Sequence, residues 1–290
     1  VPACRLPIQL SGRSQASLLS HEVELILSLL MSHIKRVPVE TGASPTGTTN
    51  AYVIRDENEC LLIDPPAEAP TLTAAIASHS HTHIVVTHAH PDHIQGLTNY
   101  GLLEQTTVWG RRWHTDAIKT ATGITPERTY KIGSSLPVAG ATVVSLPGHT
   151  LTHVGFAVDG TLICGDLARK HSSVAIRYSE GSIRSYLLTL RRLIANPPTQ
   201  LAPGHGPPID AVRTRLRSLY MRRKKRESQI LAQLDSDPQS INELATAVYD
   251  RPLHGVHEEA VDTTRAHVGK LVREDKVMLS ESKQMAWIPS

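Results

Sequence analysis

Apolar and polar residues alternate in short runs from Ile34 onward, and the period of each run predicts its local structure. Residues 50–54 (NAYVI) and 60–64 (CLLID) are apolar runs flanking the polar stretch 56–59, which predicts two strands joined as a hairpin. Residues 71–79 carry their apolar positions at helical spacing. Residues 83–87 (HIVVT) form a short β-branched run that predicts a strand, and it stops where a histidine cluster begins. Two later runs behave alike: 141–146 (ATVVSL) leads into Pro147-Gly148-His149, and 161–164 (TLIC) into Gly165-Asp166. Residue types capable of chemistry thus follow strands, on loops that a rigid sheet can aim at one point.

After Gly181 the pattern turns helical. Ile183, Leu187, Leu190 and Ile194 share one face of a helix that must stop at Asn196-Pro197-Pro198. The loop 202–208 (APGHGPP) follows, then a basic helical pattern over 211–234 that includes Arg222-Arg223-Lys224-Lys225-Arg226. From Asp235 a smaller unit is expected: a helix over 241–249, a second over 257–273 and a hairpin over 277–288. The chain therefore divides into an N-terminal extension (1–33), a main domain (34–234) and a small C-terminal domain (235–290).

The extension holds an apolar run, 25–31 (LILSLLM), that is too short for a membrane span. It follows Glu22 and Glu24 rather than basic residues and precedes no small-residue cleavage pattern, so it predicts a short helix and no membrane partner. Met31 is a plausible start just before the first strand pattern, which leaves open whether residues 1–30 are native.

Composition adds little to the fold but something to the chemistry. An apolar fraction of 40% and a charged fraction of 20% are those of a soluble globular protein, whereas 16 histidines in 290 residues are many. A net charge of +3 permits RNA or acidic metabolites and demands neither. Cys4, Cys60 and Cys164 are odd in number and lack close pairing, which argues against a disulfide framework and for a reducing cytoplasm.

The histidines concentrate in residues 87–93, THAHPDH. His88 and His90 can point into one site from a turn, and Asp92 with His93 can reach a second beside it. Further ligand-type residues stand at His149 (PGHT), Asp166 (CGD) and His205 (PGHG), each in a tight glycine-containing loop. Any of these three alone is an ordinary turn residue. Their order after the cluster gives them meaning.

That order resembles the metallo-β-lactamase superfamily, whose members carry H-x-H-x-D-H, then a histidine, a bridging aspartate and a final histidine. All seven positions are matched. His153 four residues after His149, the CGD and PGHGPPI segments and the small C-terminal unit resemble the β-lactamase-like protein branch across roughly residues 34–290. Glyoxalase II is a weaker match, since its glutathione-binding helices are not recognisable. The resemblance implies an α/β fold, an αββα sandwich followed by a winged-helix-like domain. It implies one metal on His88, His90 and His149, a second on Asp92, His93 and His205, and Asp166 bridging. Zinc is favoured for two such ions, and iron or manganese are compatible with the same ligands. The ions would share a water and acidify it, so Asp92 and Asp166 count as catalytic and no side-chain nucleophile is required.

Near the expected metals, His153 and the basic loop Arg169-Lys170-His171 are candidate substrate contacts, with a structural histidine and a solvated loop as the plain alternatives. The expected function is hydrolysis of an ester, thioester or related acyl bond of a small acidic metabolite. A single-stranded RNA endoribonuclease is the first alternative, with RNA as partner along the run 222–226; a winged-helix regulator with a metal-bearing sensor domain is the second.

Overall fold

The computed structural model describes residues 33–112, 114–249 and 257–289. Of the expected N-terminal extension only His33 is among them; the helix expected over 25–31 and Cys4 lie outside the described residues.

Strands β1 (Ile34–Glu40), β2 (Thr48–Arg55), β3 (Glu59–Ile63), β4 (His81–Val85), β5 (Thr106–Gly110) and β6 (Arg128–Thr129) form one sheet in chain order. The first three run antiparallel and the rest pair in parallel, so the sheet is mixed. The expected hairpin is β2–β3, with Tyr52 opposite Ile63. A second mixed sheet orders β10 (Gln200–Pro203), β9 (Thr161–Gly165), β8 (Val154–Val158) and β7 (Thr142–Ser145).

The period of two along β3 sets the layers. Cys60 and Leu62 enter one core with Val53, Ile84 and the helices α1 (Pro70–Ile76), α2 (Pro91–Ile94), α3 (Leu97–Tyr100) and α4 (Thr115–Thr122). Leu61 and Ile63 face the other way, into a core shared with Phe156 and Ile163 of the second sheet. With both faces covered, the strand reads as a continuous apolar run rather than an alternating one. Beyond the second sheet, α5 (Ile183–Ala195) and α6 (Val212–Gln233) pack Tyr186, Leu190, Leu216 and Leu219 on Leu162, Cys164 and Leu201. The order is helix, sheet, sheet, helix, the sandwich the resemblance implied. Ser182 caps α5 by accepting from Ser185 N, and the helix stops at Asn196 ahead of Pro197.

The C-terminal residues form α7 (Ile241–Val248), α8 (His257–Val272) and a three-stranded sheet of β11 (Gln239–Ser240), β13 (Met285–Trp287) and β12 (Met278–Ser280). Leu244, Val248, Val268, Leu271 and Ala286 make a separate core here, joined by Ile230 and Leu234 from the end of α6. That helix therefore serves two cores. Among the described residues no helix is long and apolar enough to cross a membrane. The four-residue α2 and α3 were invisible to periodicity, which needs more than one turn to show.

Candidate metal centre

Every expected ligand stands just beyond a strand. His88 and His90 follow β4, and Pro91 opens α2 at its first turn, with His90 as an extended N-cap. That turn places Asp92 and His93 at the second and third positions of the helix. His149 follows β7, Asp166 follows β9 and His205 follows β10. The two sheets are tied together at this edge: Asn50 N donates to Gly204 O at 2.8 Å and Val154 N to Thr87 O at 2.9 Å.

All seven side chains converge. The donor atoms of His88, His90 and His149 lie within 4.8 Å of one another, as do those of Asp92, His93 and His205, and those of His88, His93 and Asp166. His90 Nδ1 is 2.9 Å from both His88 Nε2 and His149 Nε2. His205 Nε2 is 3.2 Å from Asp166 Oδ1 and 3.3 Å from Asp92 Oδ2. Atoms about 2.0–2.1 Å from a common ion stand roughly 2.9–3.4 Å apart, so these spacings suit ligation. Asp166 faces both groups, with Oδ1 toward His93 and His205 and Oδ2 toward His149.

The outer nitrogens explain the orientation of the rings. His88 Nδ1 meets Thr87 Oγ1 at 3.0 Å, His93 Nδ1 meets Asp64 Oδ2 at 2.9 Å, and His149 Nδ1 meets Ala175 O at 2.7 Å. His205 Nδ1 meets Thr48 O at 2.9 Å, and His90 Nε2 lies 3.0 Å from Glu180 Oε1, off the line of its N–H. Four of the five imidazoles thus have an oxygen to accept the outer N–H, which turns the other nitrogen's lone pair inward, and His90 has the Glu180 carboxylate beside it. His93 Nε2, His205 Nε2 and Asp166 Oδ1 are buried and without a hydrogen-bond partner, which a cation would supply. The donor set, five imidazoles and two carboxylates, fits divalent zinc, iron or manganese.

Electrostatics match. Burial pulls the His205 imidazole down, but the Asp166 and Asp92 carboxylates carry it up to about 10. Burial opposes ionisation of Asp166, yet His205, His149 and His93 hold its carboxyl well below the usual range. Desolvation drives His88 well below its ordinary value, and His149 down to about 4, so both stay neutral and able to ligate.

The expected substrate contacts divide. A cleft of about 550 Å³ opens over the cluster and is lined by His90, Asp92, His149, Asp166 and Arg169. Lys170 and His171 are exposed and do not line it, so the three basic residues do not act as one cluster. His153 is fully buried and its Nε2 accepts from Asp166 N at 3.2 Å, so it holds the aspartate's backbone rather than a substrate. Sequence reasoning missed Asp64, Glu180 and Thr49, whose Oγ1 donates to Asp92 Oδ2 at 3.2 Å. Asp64 carried a usable signal: it is an acid at the end of an apolar strand, as Asp166 is. Glu180 carried none.

Two mixed sheets between helical layers, with histidines and aspartates gathered at one edge, define an αββα protein built around a metal site. The model of the Metallo-beta-lactamase superfamily matches residues 44–205, and the chain belongs to that superfamily, whose members are metal-dependent hydrolases. A "Beta-lactamase-like protein 2 homolog" of Drosophila melanogaster is 24% identical over 279 residues, 90% of this chain and 94% of the fly protein. A hydroxyacylglutathione hydrolase of Yersinia pestis (strain Pestoides F) is 31% identical over 145 residues, 49% of this chain and 54% of that one. Among solved structures, a metallo-beta-lactamase family protein of Thermus thermophilus shares the fold, with a TM-score of 0.72 at 22% identity over 90% of this chain and 100% of that one.

Proposed function

We propose that the protein is a binuclear metal-dependent hydrolase acting on an ester, thioester or related acyl bond of a small acidic metabolite. The observation that carries this reading is the set of five imidazoles, each with an oxygen at its outer nitrogen, whose inner nitrogens converge on Asp92 and Asp166. His88, His90 and His149 would hold one divalent ion and Asp92, His93 and His205 the other, with Asp166 between them. Zinc is the first choice, and iron or manganese suit the same ligands. Bound there, the ions would supply Lewis acidity and bring the pKa of a water toward neutrality.

The chain's own residues hold this arrangement. Asp64 fixes His93, Glu180 faces His90, His153 holds the Asp166 amide, and Arg169 Nη2 donates to Asp166 Oδ2 at 3.2 Å. Neither described cysteine competes as a nucleophile: Cys60 and Cys164 are buried and free, and burial pushes both thiols up. Free buried thiols also suit a cytoplasmic setting.

The C-terminal unit is read as a winged-helix-like domain, 235–290, that completes the cleft. Tyr249, Glu259 and Thr263 line the cleft, and Thr263 Oγ1 accepts from Ile176 N at 3.3 Å. A regulator is a poorer reading, because α8 carries Glu258, Glu259 and Asp262 and buries Thr263, Ala266, His267 and Lys270. An RNA endoribonuclease is likewise less favoured. The basic run is broken up, with Arg223 buried and Lys224 paired with Glu227, and Arg226 stacks 3.8 Å over Tyr249, the one aromatic ring other than histidine among the described cleft residues.

Elemental analysis of the purified protein should find two ions per chain, and a side-by-side assay should show turnover on a thioester panel and none on single-stranded RNA. A maximum of one ion after reconstitution with excess zinc or manganese would refute the binuclear reading.

A further inference from the structure

We propose that Arg177 and Arg222 form an anion subsite in the cleft, binding a carboxylate or phosphate group of the substrate remote from the bond cleaved at the metal cluster; this rests on the hydrolase reading above. Four guanidinium groups line the cleft: Arg169, Arg177, Arg222 and Arg223. Two are committed elsewhere. Arg169 donates to Asp166, and Arg223 is buried, donates to Val174 O and stacks 5.5 Å from the centre of the Tyr186 ring.

The other two keep guanidinium N–H donors open to a ligand. Arg222 is exposed and has no hydrogen-bond or ion-pair partner among the described residues. Arg177 has a side chain 52% exposed, and its Nε stands 3.8 Å from Glu180 Oε1, a carboxylate oxygen already 3.0 Å from His90 Nε2. These arginines come from separate elements, the segment ahead of Gly181 and α6, yet share one cleft. Beyond Asp92 and Asp166, Glu259 is the single carboxylate among the described residues lining it.

A guanidinium presents a planar fork of N–H donors that matches the two oxygens of a carboxylate or phosphate. Asp92 and Asp166 are turned to the histidine cluster and Arg169, which leaves two exposed arginines against Glu259 on the rest of the wall, a positive balance that favours an anion. Arg177 and Arg222 therefore select for a second negative group on the substrate. The expected holder of that group, the run Arg169-Lys170-His171, cannot do so, since Arg169 is tied to a ligand and the other two lie outside the cleft.

The test is binding to the zinc-reconstituted protein, read by calorimetry. The probes are dicarboxylates from malonate to suberate, each beside its monoamide of the same length, with ω-phosphonocarboxylates as a parallel arm. At one chain length the dianion should bind about tenfold tighter than its monoamide, the size of one charge-assisted contact. Arg177→Gln and Arg222→Gln should each erase most of that difference, and Arg222→Lys should keep part of it. The arm with the larger difference identifies carboxylate or phosphate. No difference at any length, or a difference intact in both glutamine variants, would overturn the subsite. So would a single-stranded RNA oligomer that binds tighter than every dianion and depends on both arginines. If no panel substrate is hydrolysed but the arginine-dependent difference persists, the subsite stands and the hydrolase reading falls. Because both side chains are exposed, the variants should melt at the temperature of the parent, which a thermal scan verifies.

Discussion

Asp64 directly follows β3 and sits in the left-handed region, at φ 52°, with 1% of its surface exposed. Its Oδ1 accepts from Thr87 N at 2.6 Å, while Oδ2 accepts from Thr87 Oγ1 at 2.7 Å and from His93 Nδ1 at 2.9 Å. Asparagine would keep the size and tolerate the backbone, but would put an NH2 group where acceptors are needed. Asp64→Asn should therefore weaken zinc binding about 10- to 100-fold, the usual effect of losing a ligand's supporting partner. Competition with a coloured chelator reads this directly, and unchanged affinity would remove Asp64 from the metal centre. Gly204 acts through space alone: a Cβ there would stand 2.7 Å from His93 Cε1 and 3.1 Å from Asp166 Oδ1. Gly204→Ala should displace His93 and Asp166, two of the proposed ligands, and lower metal content, with the helical signal in circular dichroism retained. Full metal content in that variant would show that the loop has room to give.

At the scale of elements, α6 and α8 are joined by a nearly buried ion pair. Lys270 Nζ lies 2.6 Å from Glu227 Oε2 and 2.8 Å from Glu274 Oε1, and the Lys270 and Glu227 side chains are only 7% and 4% exposed. Removing Lys270 takes the partner from Glu227 Oε2 and leaves the buried carboxylate with Lys224 on its other oxygen. Lys270→Ala should cost about 1–3 kcal/mol in urea unfolding, because Lys224 stays paired with Glu227, whereas Glu227→Gln combined with Lys270→Met should cost less than the single change. A loss under about 1 kcal/mol for Lys270→Ala would mean that water reaches the pair and screens it. Because α8 also supplies Thr263 and Glu259 to the cleft, loosening this contact should be felt by substrate binding before it is felt by metal content.

For the whole molecule, the metal-free centre is a titrating device. His205, carried up to about 10 by its carboxylate neighbours, contributes stability that is full below its ordinary value near 6.5 and is lost as pH rises through about 10. Asp166, held low, contributes stability that is present above its ordinary value of 3.8 and is lost as pH falls further. Between those limits His205 is protonated, and a metal ion must displace that proton. Zinc binding at pH 8 should thus release about one proton per chain or more, and apparent affinity should climb as pH rises toward 10. Calorimetry in two buffers of different ionisation enthalpy counts the protons; a buffer-independent enthalpy would contradict the protonated His205.

What the sequence determined by itself was order and chemistry. Strand runs such as CLLID and TLIC, the one-faced helix from Ile183 and the stop before Pro197 are local, since they depend on side-chain period and backbone restriction within a few residues. The seven ligand-type residues were legible for a similar reason: tight loops after strands announce themselves in the sequence, and their order carried the resemblance. Only the tertiary structure decided which neighbours each met. Asp64 and His93 are 29 residues apart and touch because β3 and β4 pair in parallel. His153 resembled a substrate group until burial placed its nitrogen on the Asp166 amide. The run 222–226 looked uniform as a string, but the helix turns its members to different faces, burying Arg223, pairing Lys224 and leaving Arg222 in the cleft. Sequence spacing fixes which way a side chain leaves its own element, and packing between elements fixes what it finds there.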